Sequence, residues 1–126
     1  MKAAERKCRV LWQQIVTLRD GRCLRCGHAS PEGGEMQNVG HHPFGRNKNG
    51  SAFEPDAGLT LCPDCHDRWA RRDPQDCHDL LREKIGEKRY THLEFLSKQV
   101  VRLRPKDFSD IAAELKLKLL EMKGEI

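Results

Sequence analysis

The sequence predicts a small α+β domain: a β-hairpin and a helix stapled by a four-cysteine zinc site, flanked by an N-terminal helix and by C-terminal helices. Three observations predict it. Two CxxC pairs, Cys23 with Cys26 and Cys62 with Cys65, bracket the middle of the chain. Short strand-like runs lie between them, whereas both ends carry apolar residues at helical spacing. The composition is thin in core-forming side chains, since 37% of the 126 residues are hydrophobic, 33% charged and only 6% aromatic. A chain this small and polar closes too little apolar surface to hold itself together without a staple.

The elements follow in order. Residues 3–19 carry Val10, Leu11, Ile15 and Leu18 at helical spacing, and Asp20-Gly21 ends that helix as a turn. The knuckle CLRCG precedes a Gly-rich loop over residues 30–34 and a strand over residues 36–42. The stretch PFGRNKNGSAFEPDAG, broken by Gly, Pro and Asn-Gly, reads as an exposed loop. Residues 58–61 form a second strand, antiparallel to the first. Pro63-Asp64 opens a helix that runs through His66 and Trp69 to about Arg72, with Trp69 a core anchor. Pro74 starts a further helical segment interrupted at Gly86. Leu93, Leu96, Val100 and Leu103 make one stripe, which Pro105 stops. Asp107 or Ser109 caps a last helix whose apolar face is Ile111, Leu115, Leu119 and Met122. That face would meet the core or a partner subunit. Residues 1–72 are therefore expected to hold the N-terminal helix and the zinc-bound core, and 73–126 a helical extension that packs on the core or forms a homodimer interface.

Charge and patterning exclude some classes. The formal net charge of +4 permits a polyanionic partner without specifying one. No apolar run approaches the ~20 residues a spanning helix needs, so no membrane is expected. The polar start MKAAERKCRV lacks the hydrophobic core of a secretory signal. Six cysteines without such a signal favour metal ligation in a reducing cytoplasm.

The chemistry-bearing residues fall into two groups. Cys23, Cys26, Cys62 and Cys65 have the spacing of a four-thiolate zinc site, in which the two-residue gap lets both sulfurs of a knuckle face one ion. Four thiolates leave no open position, so this Zn²⁺ would be structural; the bland alternative is four buried free cysteines. Cys8 and Cys77 lack partners at ligand spacing and read as ordinary helix residues. The second group is His41, His42 and His66. On a strand, neighbouring histidines point to opposite faces unless the strand ends, and Pro43 supplies that end. If the second knuckle holds its helix against the hairpin, His66 comes near the strand's end. One histidine with His66 could then hold a divalent ion, and the other could act as a base. Arg46 and Lys48, in the loop after the pair, are expected to contact DNA phosphates. Arg68, Arg71 and Arg72 could also do so, and Arg6, Lys7 and Arg9 could reach a flanking duplex.

CLRCG, VGHHP and GLTLCPDCH together resemble the zinc-bearing HNH nucleases, or ββα-metal endonucleases, over about residues 10–72. VTLRDGRCLRCG and HDLLREKIGEKRYTHLEFLSKQ also resemble the phage NinG/Rap recombination nucleases, which act on branched DNA. The resemblance implies a ββα-metal core and a metal-dependent DNA endonuclease of phage recombination or repair. It implies that His41 and His66 hold catalytic Mg²⁺ or Mn²⁺ and that His42 is the general base. A one-residue shift of register would instead make His41 the base. Where the family usually has an Asn, Ala57 stands here; Asp56, Asn47 and Asn49 are candidates to replace it. The rival expectations are a non-catalytic zinc-stabilised module that binds nucleic acid or protein, and a helical interaction protein.

Overall fold

A computed structural model describes residues 2–30 and 37–126. In order they form α1 (Ala3–Asp20), β1 (Val39–His41), a 3-10 turn (Pro55–Ala57), β2 (Leu59–Leu61), a π-helical stretch (Cys65–Trp69) running into α2 (Ala70–Arg72), α3 (Pro74–Ile85), α4 (Glu87–Ser97) and α5 (Pro105–Met122). The architecture is a small α+β fold with five helices, a two-stranded sheet and a cysteine cluster. Among the described residues no helix is long and apolar enough to cross a membrane.

The long helix α1 organises the molecule. Its buried face is Cys8, Leu11, Trp12, Ile15 and Val16, whereas Val10 and Leu18, both expected in the stripe, are about half exposed. At 100° per residue, Trp12 and Val16 share a face with Ile15, whereas Leu18 falls to its flank and Val10 to the opposite side. Gly21, at φ 75°, ends the helix by donating its N–H to the Thr17 carbonyl, the left-handed stop that only glycine adopts without strain. One side of α1 receives α5, with Ala112, Leu115 and Leu119 buried in a shared core and Ile111 and Met122 packed at its margin. The stripe that could have been a subunit seam is therefore engaged within the chain. The Cys8 thiol adds a bond to the Phe108 carbonyl at 3.0 Å.

The hairpin lies across another side of α1. Its strands pair antiparallel, Val39 with Leu61, Gly40 with Thr60 and His41 with Leu59. Part of the expected first strand, Met36, and most of the Gly-rich loop lie outside the described residues. The fit to α1 depends on missing side chains: a Cβ at Gly40 would come within 2.8 Å of the Trp12 ring, and one at Gly58 would overlap the same indole. Gln13 pins the free edge of β1, donating from Nε2 to the Gly40 carbonyl at 2.9 Å and accepting the Gly40 N–H on Oε1 at 2.7 Å. At the far end Asp20 accepts the Thr60 N–H, and Arg19 donates to the carbonyls of Pro55 and Gly58. These bonds satisfy hairpin groups that a two-stranded sheet leaves unpaired.

A second core forms under the hairpin, where Leu59 and Leu61 meet Trp69, Cys77, Leu81 and Tyr90. Trp69 is thus a core residue, as expected. Two expectations change. The stretch over residues 43–58 is not an exposed loop throughout: Ser51, Ala52, Phe53 and Ala57 are buried where it crosses α1. Nor do Leu93, Leu96, Val100 and Leu103 share a helix. The helix stops at Ser97, and Val100 is fully exposed. Lys98 and Gln99 close it by donating to the Phe95 and Leu96 carbonyls. Pro105 begins α5 rather than ending α4, since the first turn needs no N–H there. Asp107 caps that start by accepting the Arg104 N–H at 2.8 Å.

Candidate functional site

The two knuckles converge. The four sulfurs of Cys23, Cys26, Cys62 and Cys65 all lie within 4.8 Å of one another, and those of Cys26 and Cys62 are 3.6 Å apart. A tetrahedral ion with Zn–S bonds of about 2.3 Å needs sulfurs about 3.8 Å apart, so the donor set and its spacing fit such an ion. The local chain explains the convergence. Gly27, at φ 82°, turns the first knuckle back so that its N–H reaches the Cys23 carbonyl, while the Cys23 N–H reaches the His28 carbonyl. Leu24 donates to the Thr60 carbonyl, fastening the first knuckle to β2. In each knuckle the second cysteine's N–H points at the first one's sulfur, at 3.5 Å for Cys26 and 3.4 Å for Cys65. Burial drives the Cys65 thiol up to about 12, whereas at Cys23 the N–H groups of Cys26, Cys62 and Arg25 overcome burial and bring it to about 7. A metal would therefore displace protons on binding. The four cysteines could hold a structural metal such as zinc. Cys8 and Cys77 are buried in the two cores, away from it.

The three histidines line one cleft of about 800 Å³ between α1 and the hairpin, together with Arg6, Arg9 and Arg46. His41 ends β1, and its ring meets that of His66 edge-on with centroids 5.2 Å apart. Burial holds His41 down at about 4, assisted by the nearby His66 and His78, so its imidazole is neutral and free to ligate at pH 7. His42, one residue beyond the strand, escapes the alternation and turns onto α1. It stacks flat on Trp12, at 3.7 Å between centroids and 9° between planes. Its Nε2 lies 3.1 Å from the Ala52 carbonyl. A carbonyl only accepts, so Nε2 carries the hydrogen and Nδ1 keeps its lone pair. Burial brings His42 also to about 4. Trp12 is itself fixed, donating to the Glu54 carbonyl at 2.9 Å.

The remaining sequence candidates divide. Arg46 lines the cleft, and its carbonyl accepts from Arg9 at 3.1 Å. Lys48 is exposed next to Gly45 and does not line it. Arg68 and Arg72 are exposed and pair with Asp64 and Asp73. Of the replacements considered for the missing Asn, Asp56 pairs with Arg89 and Asn49 donates to the Val101 carbonyl. Ala57 is buried in its 3-10 turn. The orienting groups at His42 are instead Trp12 and the Ala52 carbonyl. Trp12 could have been found by adding aromatics to the α1 stripe, whereas a backbone carbonyl leaves no mark in sequence. His78 was also missed: it bonds to the Tyr90 hydroxyl at 2.9 Å, and its ring meets that of Phe44 edge-on at 5.0 Å between centroids, beside the turn that follows the histidine pair.

No protein-family model, no curated protein and no solved structure matches the chain.

Proposed function

We propose that the cleft is the site of a metal-dependent DNA endonuclease and that the four-cysteine site holds structural zinc. The observation that carries this reading is the neutral His42 imidazole, held by Trp12 and the Ala52 carbonyl, in a cleft that also contains His41, His66 and three arginines. His42 takes the proton of the attacking water on Nδ1, the nitrogen that its bond to Ala52 leaves unprotonated. Its orientation is set before substrate arrives, so little freedom is lost in the reaction. Arg9 and Arg46 hold the phosphate and balance its charge. His41 and His66 would hold Mg²⁺ or Mn²⁺, which supplies charge stabilisation at the phosphate and the departing sugar oxygen. The pair of imidazoles fits such an ion, since two ring nitrogens leave coordination positions for water and phosphate oxygens. The motif resemblance to HNH nucleases supports the same assignment, and its NinG/Rap-like flanks support branched or single-stranded DNA in phage recombination or repair, in the cytoplasm.

A second reading has its own support. Ala57 offers no polar side chain to the site, and a His stacked on a buried Trp also serves packing alone. That describes a non-catalytic zinc-stabilised module binding nucleic acid or protein. A cleavage assay separates the two, using supercoiled plasmid and a four-way junction with Mg²⁺, Mn²⁺ or EDTA. Under the endonuclease reading, wild type nicks with added ion, and His42→Ala loses about 10²–10⁴-fold while keeping its zinc and far-UV spectrum. Failure of folded, zinc-loaded wild type to cut either substrate would overturn it. Equal rates on linear duplex and junction would remove the branched-DNA preference.

A further inference from the structure

Between α4 and α5 the chain leaves the helix and has no regular structure over residues 100–104, and this segment has a composition unlike the rest. Residues 95–106 contain no Asp or Glu, but include Lys98, Arg102, Arg104 and Lys106. The last two face acids of α5, Arg104 with Asp107 at 3.5 Å and Lys106 with Asp110 at 3.2 Å. Lys98 and Arg102 are exposed and have no acidic partner among the described residues. Arg102 is exposed to solvent, whereas its neighbour Leu103 packs against the α1–α5 core.

The segment is held in place. Asn49 donates to the Val101 carbonyl at 3.1 Å, and a Cβ at Gly50 would overlap the Leu96 carbonyl, so loop and segment meet backbone to backbone. The same loop carries Arg46, which lines the cleft, and exposed Lys48. We infer that the segment over residues 98–104 is a second phosphate-contact surface, where Lys98 and Arg102 receive the backbone of a nucleic acid beyond the part seated in the histidine cleft. This rests on the nucleic-acid reading of the cleft and extends it. The attachment through Asn49 and Gly50 ties the basic strip to the cleft's own loop, which favours one continuous polyanion over an unrelated partner. Lys48 stands on that loop between the two. Contacts of this kind carry affinity and salt dependence but no sequence preference.

Binding is measured on fluorescein-labelled duplex DNA across a salt series without added divalent ion, for wild type, Lys98→Gln/Arg102→Gln and Arg46→Gln. Each phosphate contact contributes about 0.9 to the slope of log affinity against log salt, so the double variant is expected to lower that slope by about 2. Its affinity at low salt should fall about tenfold or more, with zinc content and far-UV spectrum unchanged. An unchanged slope in the double variant, with a reduced one in Arg46→Gln, overturns the inference and leaves the cleft reading standing. No binding of DNA by wild type overturns both. A companion arm uses vesicles containing phosphatidylserine: if wild type binds them, the double variant does not, and DNA binding is the same in both, the surface belongs to a membrane and the inference is wrong.

Discussion

The imidazole of His42 lies flat against the indole of Trp12, with ring centroids 3.7 Å apart and planes 9° from parallel. The indole is held in turn by its bond to the Glu54 carbonyl and by the glycine slot of the hairpin. The N-terminal helix thereby sets the direction of a side chain that the hairpin carries. Replacing Trp12 by Phe keeps a ring but removes the bond to Glu54 and part of the stack. The variant should fold, lose about 1–3 kcal/mol in urea titration, and lose plasmid nicking beyond what its remaining folded fraction explains. Full activity in Trp12→Phe would show that the stack does not orient His42.

Gly40 and Gly58 leave the space that the indole fills. A methyl at Gly40 must push against the Trp12 ring, Gln13 and Val16, all part of the α1–hairpin contact. Gly40→Ala is expected to cost about 1–3 kcal/mol by overpacking, whereas Glu114→Ala on the exposed face of α5 should cost less. Thermal melts of the two variants make the comparison, and equal melting temperatures would contradict the tight contact.

The cysteines should divide into two sets by metal content. Cys62→Ser and Cys65→Ser remove buried members of the cluster, and elemental analysis should find one equivalent of metal in wild type and none in either variant. Cys77→Ala should keep its metal and lose about 1–2 kcal/mol through packing alone, because Cys77 lies in the core beneath the hairpin. Chelation should also melt the hairpin core, since metal binding and folding are linked. Loss of metal from Cys77→Ala would move that residue into the cluster.

Asp20 supplies the pH dependence with the clearest sign. Burial acts to raise its carboxyl, but the Arg19 guanidinium, the Thr60 N–H and nearby Lys84 overcome it, and the net shift is downward from 3.8. A carboxyl depressed in the folded state contributes stability that is fully present above its unfolded value and is lost as pH falls through its folded value. Wild type should therefore be more stable than Asp20→Asn at pH 6–7. The gap should narrow below pH 4 as the carboxylate takes up its proton. A gap independent of pH in denaturant titrations would show that Asp20 acts through packing rather than charge.

The cysteine cluster, the strand pair, the helix after the second knuckle and the histidine trio were legible because their signals are local. CxxC spacing, a proline ending a strand and a His beside a Cys each constrain neighbouring atoms directly. The breaks at Gly21 and Gly86 were equally readable, since a positive φ is a property of one residue. The course of the chain from Ser97 to Pro105 was not. Leu93, Leu96, Val100 and Leu103 satisfy a helical period, yet the helix stops where the Asn49–Gly50 loop takes its place against the Leu96 and Val101 carbonyls.

What the sequence by itself determined is therefore the inventory: a four-cysteine set, a histidine trio, the elements that carry them and the helical ends. Only the tertiary structure decided which face of α1 is buried, that α5 covers it, and that His42 is held by Trp12 and the Ala52 carbonyl rather than by a residue at position 57. The reason is physical. Local signals arise from the covalent geometry of neighbouring residues, whereas a stack across 30 positions of chain and a bond to a backbone carbonyl depend on where the whole chain comes to rest, and every residue type carries the same carbonyl.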